Sequence, residues 1–478
     1  MALGRRDGEK QGEFWVATED IVRGPGHPFY VALNALFRER GFDRHVEGLC
    51  ETFYSSLGRP GIAPGVYFRM LLVGYFEGID SERGIDWRCG DSLTLREFLG
   101  YALTQTTPDH STLCTTRQRI DIETHQEVFA WVLTAVAESG LLKGKTLGID
   151  ATFLEANAAM RSIVRRDTGD SYQQFLTGLA QASGIETPTR EQLAKIDKTR
   201  KNKASNDDWE SPSDGDSRIT KMKDGSWHLA HKAEHAVDMD SGAVVAVTIQ
   251  PADRSDHQSI VETIVEATEV LLDVREMGGE VSLPQEAVTD KGCHSNLTCV
   301  TLKEMGIRSY LSEPDRGERD WIDKKTGEPL LEARSAVHGN RRRIRGKRGK
   351  GLLRSRGQYV ERTFADEYET GAMRRTHLRG HNTILKRLLI HTAGFNLALL
   401  LRHTVGVGKP RVLQDGVGRL SAAFLSVFVV LFGLLRALWT RPLPSEPFVR
   451  KMFIVPSSSG NLPRITRPCD WQRKKSYC

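Results

Sequence analysis

None of the seven cysteines, Cys50, Cys89, Cys114, Cys293, Cys299, Cys469 and Cys478, forms a Cys-x-x-Cys pair. An odd count without paired spacing argues against a disulfide framework or a zinc ribbon and fits a reducing interior. The opening stretch, MALGRRDGEKQGEFW, has no apolar run, so no signal peptide is expected, and a cytoplasmic, nucleoid-associated location follows. No internal repeat is present. Neither sign of charge dominates: 67 basic against 61 acidic side chains leave +6, which permits a polyanionic partner without requiring one. Uncharged apolar runs are scarce. One, residues 420–435 (LSAAFLSVFVVLFGLL), would span about 24 Å as a helix, short of a bilayer core of about 30 Å. It reads first as a buried or oligomer-facing helix, and a membrane span is the lesser reading.

What is present is ordinary in bulk. A charged fraction of 27% argues against wholesale disorder, and 478 residues give length for about three domains. Residues 1–27 are polar and Gly-rich, a loose lead-in. From 28 to 140 the apolar spacing is helical, with stripes through Phe29, Leu33, Leu36 and Phe37, then Val46, Leu49, Cys50, Phe53 and Tyr54. Further helices are predicted over 64–78, 81–88, 92–99, 109–119 and 124–139. Helix 109–119 could enter a DNA groove with Thr115, Thr116, Arg117 and Arg119, and equally suits a packing domain with solvated arginines.

Residues 160–225 read as an insertion with helices over 171–182 and 190–199. The polar stretch KNKASNDDWESPSDGDSR follows, read as a loop or arm. Strands over 227–237 and 243–249 flank Asp240-Ser241-Gly242, a hairpin signal. A helix over 256–274, a strand EAVTD over 286–290, a helix over 297–305 and a strand over 307–311 come next. Helix 381–402 carries Ile384, Leu385, Leu388, Leu389, Thr392, Phe395 and Leu399 on one side and is predicted to be amphipathic. From Lys145 the order is strand, insertion, strand, strand, helix, strand, helix, strand, helix, an α/β arrangement with a mixed sheet. Residues 404–478 form an extension that holds the apolar run and a Pro-rich basic tail.

Three acids stand out. Asp150 closes the short apolar run in KTLGID, Asp290 closes EAVTD, and Glu361 lies on a predicted helix in QYVERTF. Taken singly, such an acid is more often a cap or a turn residue. Together, on rigid elements, three carboxylates suit hard cations such as Mg²⁺, and phosphodiester exchange uses two of them about 3.5–4 Å apart.

The stretches GIDATFLEAN, SGAVVAVTIQPADRSDH, AVTDKGCHSN and YVERTF, the last followed by RRTHLRGHNTILKRLLIHTAGFNLALLLR, resemble the DDE transposases of bacterial insertion sequences. The likeness is to the branch with a helical N-terminal domain and a V-E-R-T-F glutamate, and it covers roughly residues 28–403. It implies an α/β fold with a ribonuclease-H-like mixed-sheet catalytic core over 141–403, interrupted by the insertion at about 161–226. It also implies an all-α N-terminal domain over 28–140 that recognises element ends. By position, Asp150, Asp290 and Glu361 are the catalytic and metal-binding residues, holding two Mg²⁺ or Mn²⁺ ions. The implied partner is double-stranded DNA, the implied chemistry is cleavage at transposon ends and strand transfer by the 3′-hydroxyl, and the active complex would be at least a homodimer. Relatives often carry a Lys two helical turns after the glutamate. Here Tyr368 stands seven residues on, and Arg374 and Arg375 are the candidates to take over that DNA contact.

Between 341 and 356 there are nine basic residues and no acid. Arg341, Arg342, Arg343, Arg345, Lys347, Arg348 and Lys350 are candidate phosphate contacts, since clustered cations release counterions from duplex DNA. The stretch contains no G-x-x-x-x-G-K-[ST], so no nucleotide cofactor is expected. His228, His231 and His235 alternate along a strand, with His228 on the opposite face, and make a poor zinc set. Lys232 and His235 are expected at the active-site edge or on DNA, and His294 could touch phosphate. The competing readings are a catalytically inert DNA-binding derivative and a membrane-associated protein using 420–435.

Overall fold

The computed structural model describes residues 26–411 apart from 56, 59, 60, 201, 202, 204, 316 and 324. The apolar run at 420–435, the basic tail and nearly all of the predicted lead-in lie outside the described residues.

Seven helices come first: α1 (Pro28–Glu39), α2 (Phe42–Cys50), α3 (Pro64–Glu77), α4 (Glu82–Asp91), α5 (Leu93–Leu99), α6 (His110–Arg119) and α7 (Ile122–Glu138). Their starts are set by side chains. Ser81, Ser92, Asp109 and Asp121 each accept the backbone N–H three residues on, satisfying a donor that the helix itself cannot. Helix α3 ends on Gly78 at φ 68°, a left-handed turn that suits glycine. It is buried along nearly its whole length and forms the middle of the helical layer.

The chain then enters a mixed sheet. Its strands are β1 (Thr146–Glu155), β4 (Arg218–Lys221), β5 (Trp227–Asp238), β6 (Val244–Pro251), β7 (Glu286–Thr289) and β8 (Arg308–Leu311). A separate pair, β2 (Val164–Arg165) with β3 (Trp209–Glu210), lies in the insertion beside α8 (Tyr172–Ala182) and α9 (Arg190–Thr199). In the main sheet the order is β4-β5-β1-β7-β8, with β6 also on β5. Long β5 pairs antiparallel with β1, and along its other edge with β4 near its start and with β6 further on. Strands β1, β7 and β8 run parallel. Helix α10 (Asp256–Glu276) leads from β6 to β7, and α11 (Asn296–Glu304) makes the crossover from β7 to β8. Next come α12 (Leu331–Arg345), α13 (Lys347–Phe364), a π-helical turn (Ala365–Thr370) and α14 (His381–Val405). The element order from Lys145 agrees with the sequence reading, apart from the short strands β2, β3 and β4 and helix α12, which it missed.

Three expectations are corrected. Strand β1 does not end at Asp150. It continues to Glu155 because β5 still pairs with it there, and Glu155 N–H donates to Arg374 O at 2.9 Å. The stretch read as a polar arm holds Trp209, which is 1% exposed and packs with Ala156, Ile163, Ile219 and Leu229 in a second small core. Helix α14 is not amphipathic but buried on all sides. Its polar residues point inward to fixed partners: Lys386 Nζ donates to Ile120 O (2.8 Å), Asn396 Nδ2 donates to Val244 O (2.8 Å), and its Oδ1 accepts Val244 N–H (2.9 Å). By length and composition α14 could cross a membrane, but 89% of its most apolar window is packed inside the protein, against α3, α7 and β6. The helical layer and the sheet share one continuous core.

Candidate active site

Side chains alternate along strands, so Thr146, Gly148 and Asp150 share one face of β1. The parallel register sets Thr146 beside Glu286 and Gly148 beside Val288. Carried two residues on, it sets Asp290 beside Asp150, just past the carboxyl end of β7. The edge beyond strand ends in a parallel array is where open α/β sheets receive ligands. Thr146 Oγ1 donates to Glu286 Oε2 at 2.8 Å, which confirms that the two strands present the same face.

Helix α13 lies across this face. Val360 packs over Gly148, where an added Cβ would come within 3.2 Å of its Cγ2. Arg356 Nη1 donates to Asp150 Oδ2 at 2.6 Å, and Asp150 Oδ1 accepts the N–H of Ala151 at 2.9 Å. Burial raises the Asp150 carboxyl above its ordinary value. Arg356 and the Ala151 N–H pull it back, and the negative charge of Asp290 adds to the rise. Asp290 Oδ1 accepts the N–H of Gly292 at 2.9 Å.

An acid that sequence reading did not single out completes this edge. Asp256, in the first turn of α10, comes from the opposite side. A Cβ built on Gly292 would stand 2.8 Å from Asp256 Oδ2 and 3.1 Å from Asp290 Oδ1, so two carboxylates flank that glycine. In the sequence Asp256 served only as a helix start, and its closeness to Asp290 depends on the fold.

Glu361, the third acid of the expected set, lies on α13. It is exposed on the outer side of α13, one residue past Val360, and ends the exposed stripe Lys347, Lys350, Arg354, Gln358 and Glu361 at helical spacing. Among the described residues, no group of three or more His, Cys, Asp or Glu side chains is placed to hold a metal. Asp150 and Asp290 fit a hard divalent cation in their donor atoms and in their combined negative charge, which a single arginine only partly offsets.

Several predicted contacts are engaged within the fold. Arg341 binds Glu313 through Nε (2.6 Å) and Nη2 (2.8 Å). Arg343 donates to Ser309 O (2.8 Å) and Oγ (2.7 Å), and Arg348 pairs with buried Glu286. Arg374 donates to Thr152 Oγ1 (3.0 Å), to Phe153 O (3.1 Å) and to Glu369, and stacks over Tyr368. Arg375 is more exposed, 3.8 Å from Glu155. Arg342, Arg345, Lys347 and Lys350 are exposed and make no ion pair among the described residues.

The other local expectations need correction. Lys232 is 1% exposed and faces inward, with its Nζ on Arg254 O (2.7 Å), Ser259 Oγ (2.9 Å), Asp256 Oδ1 (3.2 Å) and Glu234 (3.0 Å). It therefore holds Asp256 from beneath at the candidate site's edge, one of the two places expected for it, and is closed to solvent. His235 is buried between Thr363 Oγ1 (3.1 Å) and the Tyr368 hydroxyl (2.5 Å). His294 is buried, with Arg319 Nη2 3.3 Å from its Nδ1. On α6, Thr116 and Arg117 are buried, with Arg117 paired to Glu82, because α6 packs against α4 and α14. Only Thr115 and Arg119 of the proposed reading face are exposed, and Arg119 lies 5.2 Å from the Tyr54 ring centroid.

Residues 17–119 match a family model described as a transposase domain (DUF772). No curated protein matches the chain.

Proposed function

We propose that this chain is a DNA transposase of the DDE type, in which Asp150 and Asp290 hold divalent metal and Glu361 completes the set from α13. The observation that carries the reading is the pairing of Asp150 and Asp290 past the end of β7, in a chain whose residues 17–119 match a transposase domain. The hairpin followed by parallel strands and crossover helices supports a ribonuclease-H-like core. When bound, two Mg²⁺ or Mn²⁺ ions supply activation of the attacking oxygen and stabilisation of the departing one.

The chain's own residues do the rest. The exposed cations Arg342, Arg345, Lys347, Lys350 and Arg354 draw the phosphate backbone along α12 and α13 toward the carboxylates. The packed strands fix Asp150 and Asp290 against rotation, so the site keeps its geometry as charge develops. The proposed reaction cleaves at the ends of a mobile element and releases a 3′-hydroxyl. That oxygen then bonds to a target phosphorus and displaces the target's own 3′-oxygen. A homodimer would bring the two ends together.

A second reading, binding without cleavage, draws on the Arg356 ion pair that already occupies Asp150. Incubation with Mg²⁺ and the DNA flanking the chain's own reading frame decides between them. Asp150→Asn, Asp290→Asn and Glu361→Gln should each abolish cleavage and keep DNA binding. Full cleavage by any one of these variants removes that residue from the site, and absence of cleavage by the unaltered chain favours the inert reading.

A further inference from the structure

The Asp150–Arg356 pair is unusual in its placement. It joins residues 206 apart in sequence, and the arginine sits on the helix that carries Glu361. The arginine and aspartate side chains are 14% and 23% exposed, so solvent screens the pair only in part. With Ala151 N–H on Oδ1 and the guanidinium on Oδ2, both oxygens of Asp150 are engaged. A divalent ion bound to Oδ2 at its usual length of about 2.1 Å would lie within about 5 Å of Arg356 Nη1, where two cations repel. Arg356 belongs to the sheet-facing side of α13, and Arg354, two residues earlier, is exposed beside Lys350 and Lys347. A phosphate arriving at the Asp150 carboxylate meets the guanidinium, whose planar fork suits phosphate oxygens as well as it suits a carboxylate.

We infer that Arg356 is a built-in counter-ion that occupies the cation position of Asp150 until a DNA phosphate draws it away, so that DNA and divalent metal bind cooperatively. The inference rests on the metal-site reading given above and adds a positioning residue to it. In the resting chain Arg356 keeps the carboxylate neutralised and suppresses metal uptake without DNA. When the fork transfers to phosphate, Asp150 is left unpaired and ready for a divalent ion. The coupling is reciprocal, so bound metal also strengthens the hold on DNA.

Free Mn²⁺, read by electron paramagnetic resonance during titration of the full chain, tests this with and without a short duplex taken from DNA flanking its own reading frame. Ions held by the duplex alone are subtracted. In the unaltered chain the duplex should raise Mn²⁺ affinity about tenfold, and Arg356→Gln should reach a similar affinity with no duplex present. Asp150→Asn should lose the site in both conditions. If Mn²⁺ binds and the duplex leaves its affinity unchanged, or if folded Arg356→Gln binds no tighter than the unaltered chain, the counter-ion role is wrong and the metal-site reading stands. If no Mn²⁺ is bound under any condition, both fall. The duplex arm uses the unaltered protein, so a Gln variant that fails to fold still leaves the question decided.

Discussion

Glu367 sits in the π-helical turn that follows α13, fully enclosed by the fold. Its Oε2 accepts from Thr392 Oγ1 at 2.9 Å and lies 3.9 Å from His235 Nε2, while its Oε1 has no hydrogen-bond partner. Burial pushes this carboxyl from its ordinary 4.5 up to about 8. His235 offers no compensating charge, because burial lowers it to about 3 and keeps it neutral. The folded chain therefore holds a proton on Glu367 that the unfolded chain gives up above pH 4.5. Stability falls as pH rises through the window from 4.5 to about 8 and levels off above it.

Buried neutral histidines oppose this slope only at lower pH. His125, lowered to about 4, His235 and His391 remain neutral in the fold, and their unfolded forms take up protons below 6.5. Between pH 6.5 and 8 Glu367 acts without them, and the loss comes to about 2 kcal/mol. Glu367→Gln cannot ionise and should show a flatter profile by that amount. Its added N–H group meets no acceptor, which costs about 1–3 kcal/mol at every pH, so the two curves should cross between about pH 5 and 7 and the Gln variant should be the more stable by pH 8. Urea unfolding of both proteins at pH 6.5, 7, 7.5 and 8 measures the difference in slope. Parallel curves across that range would refute a protonated Glu367 in the folded chain.

Lys232→Met should destabilise the fold by about 3 kcal/mol in denaturant titration, because it leaves Glu234 charged and buried, and adding Glu234→Gln should recover much of that loss. Replacing Lys347, Lys350 and Arg354 by Ala should lower the salt dependence of duplex binding by about one unit of slope for each phosphate no longer neutralised, with little effect on stability. Arg348→Ala, by contrast, should chiefly destabilise, since it removes a partner of buried Glu286; an unchanged melting temperature would show that this ion pair contributes nothing.

Signals that act over a few residues were legible in the sequence. The helix starts near Ser81, Ser92 and Asp109 were read, and each of these side chains closes on a backbone N–H three positions away; the Asp121 cap was not, since that helix was expected to begin at 124; the Asp240-Ser241-Gly242 hairpin is set by its own turn. What failed was the inference, at several positions, that a side chain in a polar setting belongs to the surface. Lys386, Asn396 and Trp209 were assigned by the company they keep along the chain, yet their partners are 152 residues away or more for the first two and come from a separate small core for the third. The basic stretch failed in the same way. Arg341, Arg343 and Arg348 look identical to Arg342, Arg345 and Lys347 in a charge count, and only the approach of Glu313, Ser309 and Glu286 from distant strands and loops separates engaged cations from free ones. The same distinction governs the candidate site. Asp150 and Asp290 were singled out because each closes a short apolar run, and the register of β1 and β7 sets them side by side. That an arginine would already stand on Asp150 could not be read from the sequence, since the packing angle of one helix on a sheet sets which of nine cations points inward. Arg356 is thus the residue on which a reading of charge alone and a reading of the fold diverge most: the first makes it one more DNA contact, and the second makes it the gate between DNA and metal.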